Sequence, residues 1–158
     1  MSHKWIAVLA SLTMLAAAPM ARADGVAAPY SGTRTIETGQ PFDAFVDRLI
    51  ASVKANKMGL VAQACANCGA ESIGVKIPGN RVIMVYRPDF AVRMLKASIP
   101  AGIEAPLRLY VTEQPDGTAN LTYRLPSHVF GAYKVAALDE MAMELDTIFA
   151  KIVADATN

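Results

Sequence analysis

The chain has 158 residues, 15 Lys and Arg against 14 Asp and Glu, a formal net charge of +1 and 53% hydrophobic residues. So even a balance provides no broad basic field for nucleic acid or an anionic membrane surface. Only two cysteines, Cys65 and Cys68, are present, so the fold does not rest on a disulfide framework.

The N-terminus places His3 and Lys4 before an apolar run from Trp5 to Ala18, followed by Ala21-Arg22-Ala23. This is the pattern of a secretory signal peptide, residues 1–23, cleaved at an A-x-A site near Ala23. The run is shorter than the ~20 residues a spanning helix needs, and no second such run follows, so no membrane span is expected. The product is expected to be exported, to the periplasm or the medium. Cleavage removes two of the 15 basic residues, Lys4 and Arg22, leaving 13 against 14 acidic ones. Residues 24–32, DGVAAPYSG, read as a flexible leader arm. Residues 33–158 are expected to form one domain, large enough to bury ~65 to 70% of its unfolded surface without staples.

Within it, residues 33–38 alternate as a first strand. Pro41 suits the first position of a helix in which Phe42, Phe45, Val46, Leu49, Ile50 and Val53 recur at three- and four-residue steps through Ala55. Asp43 and Asp47 lie early and Lys54 and Lys57 late, matching the helix dipole, and Gly59 is the stop. Residues 60–64 form a short strand running into ACANCGAESIG, one or two helical turns. Residues 81–86, RVIMVY, follow a Pro78-Gly79 turn as an apolar strand, and Pro88 opens a short helix closed by Pro100. APLRLYVTEQPDGTANLTYRL gives two alternating strands joined at Pro115-Asp116-Gly117. A last helix over about 134–154 stripes Leu138, Met141, Leu145, Ile148, Phe149 and Ile152. Five strands and two long amphipathic helices predict an α+β two-layer sandwich, a mainly antiparallel sheet with helices on one face.

The hairpin loop suits a type I turn followed by a glycine bulge, which sets Gln114 beside Thr118. Val111 then faces Leu121 and Leu109 faces Tyr123 toward the core. On the other face Tyr110 meets Thr122 and Arg108 meets Arg124. Like charges directly opposite cost ~0.2 to 1 kcal/mol. Either the two guanidiniums are solvated or share Glu104 or Glu113, or they form an anion or carboxylate site on the open sheet face with Tyr110 as platform.

IPGNRVIMVYRPDFAVRML followed by APLRLYVTEQPDGTANLTYRLP resembles the domain of unknown function family 302, most specifically in Pro106-Leu107-Arg108 with Asp116-Gly117. The resemblance covers most of residues 33–153. It implies a fold similar to the TATA-binding-protein-like α+β class and a homodimer, and no established activity. The CxxC at Cys65 and Cys68 departs from the family pattern, so the resemblance does not explain it.

For that pair, haem attachment is excluded because residue 69 is Gly, not His. A structural disulfide fits an exported chain, but so short a loop contributes only ~2 kcal/mol, against ~3 for fifteen residues. CxxC bridges are often strained and reducible, and a pair where a strand meets a helical turn favours the thiolate. On this reading Cys65, the more exposed thiol, attacks and Cys68 resolves. Two thiolates also suffice for Cu(I), whereas zinc wants four ligands. One protomer adds only His128, so zinc would need both cysteines from each half of a dimer. No organic cofactor is expected, and a soft metal ion is the alternative.

His128 follows Ser127, too close for a nucleophile and its base, and reads as a loop histidine. Met141 belongs to the core, and Met143, off the stripe, to a rim or interface. Asp139, Glu140 and Glu144 make a solvated helix face. The sequence thus predicts a module binding a small ligand or protein through Arg108, Tyr110 and Arg124. The alternative is a thiol-redox or sulfur-handling protein acting on a protein thiol partner through Cys65 and Cys68, or a copper carrier through the same cysteines.

Overall fold

The computed structural model describes residues 31–158. The expected signal peptide, and the leader arm up to residue 30, lie outside the described residues. The elements in order are β1 (Thr33–Pro41), α1 (Phe42–Ala55), β2 (Gly59–Cys65), α2 (Ala66–Ser72), β3 (Asn80–Tyr86), α3 (Pro88–Ala97), a 3-10 helix (Ile99–Glu104), β4 (Leu107–Glu113), β5 (Thr118–Arg124), α4 (Pro126–Gly131) and α5 (Ala136–Thr157).

The five strands form one antiparallel sheet in the order β1-β5-β4-β3-β2, with β1 and β2 at its edges. Alternation along each strand sends one set of side chains to the helices and the other to the opposite face. Ile83, Val85, Leu109, Val111, Leu121 and Tyr123 are buried from the sheet side. They meet Phe45, Leu49 and Val53 of α1, Phe90 and Met94 of α3, and Leu138, Met141, Leu145, Phe149 and Ile152 of α5 in one core. Ser52 is buried among them, its hydroxyl donating to the Ile152 carbonyl at 2.8 Å. That bond ties α1 to α5 and satisfies a polar group that would otherwise cost free energy in an apolar core. The α+β two-layer arrangement and the antiparallel sheet are as the sequence predicts.

The hairpin register is also as predicted. Leu109 pairs with Tyr123, Tyr110 with Thr122 and Val111 with Leu121, while Gln114 N–H donates to the Thr118 carbonyl at 2.8 Å. Gly117 has φ 83°, the left-handed conformation that the bulge requires and that glycine adopts without steric cost. Asp116 Oδ1 accepts from the Thr118 hydroxyl at 2.6 Å and its N–H at 2.9 Å. These bonds hold the Asp116 carboxyl below the usual carboxylate range.

Four details differ from the expectation. β1 runs on to Pro41 through a register slip between Glu37 and Pro41, with Gly39 at φ 64°. Pro41 therefore closes the strand and caps α1 from outside instead of being its first residue. The 3-10 helix and α4 are too short to carry a readable hydrophobic period. α5 begins at Ala136 because Lys134, at φ 55°, turns the chain out of helical geometry. His128 consequently stands on α4, exposed, and not in a loop.

Candidate functional site

On the face away from the helices, β4 and β5 present Arg108, Tyr110, Thr122 and Arg124, the alternate residues to their buried ones. Arg108, Tyr110 and Arg124 line one depression of about 290 Å³, walled by Val82, Leu107, Thr122, Glu104 from the 3-10 helix and Val129 from α4. Extending the hairpin register by one pair sets Arg108 opposite Arg124. Arg124 and Glu104 also border a second hollow with Ser31, His128 and Ala132. There the His128 ring Nε2 lies 3.2 Å from the Ser31 hydroxyl.

Two further residues shape the depression, Asn80, which sequence reasoning passed over, and Glu104, which it weighed as a partner for the arginines. Asn80, at the start of β3, donates through Nδ2 to the Tyr110 hydroxyl at 2.6 Å. With its oxygen accepting that bond, the phenol keeps its own O–H to donate. Glu104 accepts from the Tyr133 hydroxyl at 3.1 Å, and burial, then the neighbouring Glu104, pushes the Tyr133 phenol up. Glu104 thus brings one carboxylate to a wall that carries two guanidiniums. Glu113, the other carboxylate considered for them, instead accepts from the Gly79 N–H at 2.6 Å.

The two cysteines stand elsewhere. They are joined as a disulfide with Cα atoms 5.3 Å apart. Cys65 ends β2 and caps α2, its Sγ accepting from the Cys68 N–H at 3.0 Å. Cys68 is the exposed member and Cys65 is half-buried, the reverse of the expected order, because Cys65 is still held in the sheet opposite Arg81 while Cys68 projects from the first turn of α2. Asn67, also missed from the sequence, has its Oδ1 3.4 Å from Cys65 Sγ. The same oxygen accepts from Arg81 Nη1 and from the Asn80 N–H at 3.1 Å, so one amide fastens α2 to β3 and keeps the guanidinium near the sulfur.

Among the described residues no group of three or more His, Cys, Asp or Glu is placed to hold a metal ion, and none of the helices is long and apolar enough to cross a membrane. Ser127 gives its N–H to Asp146 at 2.9 Å, while the His128 ring reaches the Ser31 hydroxyl and not that of its neighbour. Met141 is core, Met143 is exposed, and Glu144 pairs with Arg93 at 2.7 Å.

The sequence profile described as "Domain of unknown function DUF302" matches residues 34–156. The chain belongs to the DUF302 family. Among solved structures, the "uncharacterized conserved protein DUF302" from Bacillus stearothermophilus superposes with a TM-score of 0.71 at 20% identity, over 80% of this chain and 98% of that one. That likeness establishes a shared DUF302 fold. No curated protein matches the chain.

Proposed function

We propose that this chain is an exported binding module whose open sheet face holds a small anionic ligand carrying a carboxylate or phosphate group. The observation that supports it most is the joint lining of one depression by Arg108, Tyr110 and Arg124. Guanidiniums bind carboxylate and phosphate oxygens through charge-assisted, often bidentate hydrogen bonds. The Tyr110 hydroxyl adds a neutral donor and its ring an apolar platform, while Glu104 offers an acceptor for a hydroxyl or amine elsewhere on the ligand. The hollow is open, so the ligand exchanges with solvent and no turnover is invoked.

Thermal unfolding with and without added anion tests the proposal. Sulfate, phosphate or a small carboxylate should raise the Tm of the native protein more than that of Arg108→Ala or Arg124→Ala, since only binding to the folded state stabilises it. Equal shifts in all three proteins would mean that the salt acts generally and the site does not exist.

A further inference from the structure

We propose a second activity at the other end of the sheet, in which the Cys65–Cys68 disulfide exchanges with a thiol on an extended polypeptide that adds as a sixth strand beside β2. Neither cysteine lines the depression, so this inference stands apart from ligand binding.

The two sheet edges differ in kind. β1 carries Arg34, Glu37, Pro41 and a bulge, devices that keep an edge from pairing with another chain. β2, GLVAQAC, carries no charge and no proline, and residues 61–64 are all exposed. Its register slips between Leu60 and Ala62, but from Ala62 to Cys65 it pairs regularly with β3, its one neighbouring strand among the described residues. An extended segment laid along this stretch gains main-chain hydrogen bonds without any particular side-chain sequence, and the stretch leads directly into the disulfide.

A second feature favours a polypeptide over a small thiol. After α2 the chain presents Ile73, Val75 and Ile77 at 77%, 48% and 39% exposure, and Val75 and Ile77 border a hollow shared with Asn67 and Glu71 of α2. Three exposed apolar side chains at alternate positions, two of them around a hollow bordered by α2, the helix that carries Cys68, can seat apolar neighbours of a cysteine in a partner chain.

Exposure also decides which sulfur is attacked. The partner thiolate attacks Cys68 Sγ, a new S–S bond forms there, and the old bond breaks with its electron pair leaving on Cys65 Sγ. That leaving thiolate already faces the Cys68 N–H at 3.0 Å, and Arg81 is the cross-strand neighbour of Cys65, so its charge is met by a donor and a cation. A second thiol of the partner then attacks the partner's own sulfur in the mixed disulfide and releases Cys68. The partner dithiol is oxidised by two electrons, the Cys65–Cys68 pair is reduced, and the two protons pass to the cysteines.

The test uses the oxidised full-length domain and three probes: a single-cysteine peptide flanked by alternating valines, the same peptide N-methylated along its backbone, and glutathione. Reactions are quenched with acid, free thiols are alkylated, and adducts are mapped by mass spectrometry. The adduct should sit on Cys68 with Cys65 alkylated. The valine peptide should react roughly tenfold faster than glutathione, the gain expected from burying an apolar side chain, and about fivefold faster than the N-methylated peptide, the loss expected from roughly one net main-chain hydrogen bond. Val75→Ser with Ile77→Ser, both at exposed positions, should lower the peptide rate and leave the glutathione rate unchanged. Adducts on Cys65, or equal rates for all three probes, overturn the proposal. So does a doubled mass in light scattering with β2 amides already protected from hydrogen exchange, which would assign the edge to a second copy of this chain.

Discussion

Asn80 Nδ2 donates to the Tyr110 hydroxyl at 2.6 Å, diagonally across β3 and β4 on the open face, while the Asn80 backbone N–H is held by Asn67 beside the disulfide. The side-chain bond sets which way the phenol can donate. Asn80→Ala removes it and leaves the main-chain bond in place. Anion affinity should therefore fall several-fold, by ~1 kcal/mol for a net hydrogen bond, while thiol exchange at Cys68 stays as it was. Calorimetric titration of the variant alongside the thiol assay checks both halves.

Arg108 and Arg124 fall opposite each other by register, and like charges so placed repel. Arg108→Ala should leave the fold intact and, without ligand, stabilise it by ~0.2 to 1 kcal/mol at low salt, a gain that shrinks as ionic strength rises. Urea unfolding at two salt concentrations measures it, and a loss of stability would mean that the Arg108 stem packs more than its charge repels.

The reading of the hairpin, down to which residues share a face, was legible because alternation and a D-G turn are local signals. Ile83, Val85, Leu109, Val111 and Leu121 are buried for the same reason. What the sequence could not reveal depends on contacts between distant segments. Asn80 meets Tyr110 over a separation of 30 residues, and Asn67 meets Arg81 over 14, and neither pair leaves a periodic trace. The order of exposure at Cys65 and Cys68 is the reverse of the sequence expectation because pairing with Arg81 holds Cys65 in the sheet, a contact 16 residues away that leaves no local trace. α4 and the 3-10 helix, which bring Val129 and Glu104 to the depression, are too brief for periodicity to announce.

In the core, Leu121 is fully buried between sheet and helices. Leu121→Ala should cost 2–5 kcal/mol, in the range of buried leucine truncations of about that kind. Ser52→Ala should cost ~1 kcal/mol, since it removes the α1–α5 hydrogen bond, while the Ile152 carbonyl left behind is helical and Asn56 Nδ2, which also reaches the hydroxyl, keeps its other acceptors. Denaturant titrations of the two variants should keep this order.

The cysteine pair should be dispensable for folding. Changing both Cys65 and Cys68 to Ser should cost no more than ~2 kcal/mol, the chain-entropy value for so short a loop, and leave the sheet intact by circular dichroism. A glutathione redox titration should place the pair above about −300 mV, outside the range of inert structural bridges in secreted proteins, because Cys68 is exposed and the Cys65 thiolate is met by an N–H. A bridge that stays closed below that potential would return the pair to a structural role.

Arg93 holds the Glu144 carboxyl below its usual range, chiefly by a direct hydrogen bond. A depressed carboxylate contributes stability that is present above its unfolded-state pKa and is lost as pH falls through the lower folded value. Glu144→Gln should therefore be slightly less stable than the native protein at neutral pH and converge with it in acid. Both groups are solvent-screened, so the difference stays small. Thermal melts from neutral to acid pH measure it, and a gap that widens on acidification would contradict the assignment.

On the open sheet face, Arg108, Tyr110 and Arg124 are proposed to act together as an anion site. Its most direct test is amide chemical-shift mapping of residues 31–158 during titration with phosphate and a small dicarboxylate, on the native protein and on Arg108→Ala. Saturable shifts should concentrate at Arg108, Tyr110, Thr122 and Arg124, with affinity at least roughly tenfold weaker in the variant, as loss of one charged hydrogen bond of roughly 1.5 to 3 kcal/mol implies. Shifts that are linear in anion, spread over the surface, or unchanged by Arg108→Ala would contradict it.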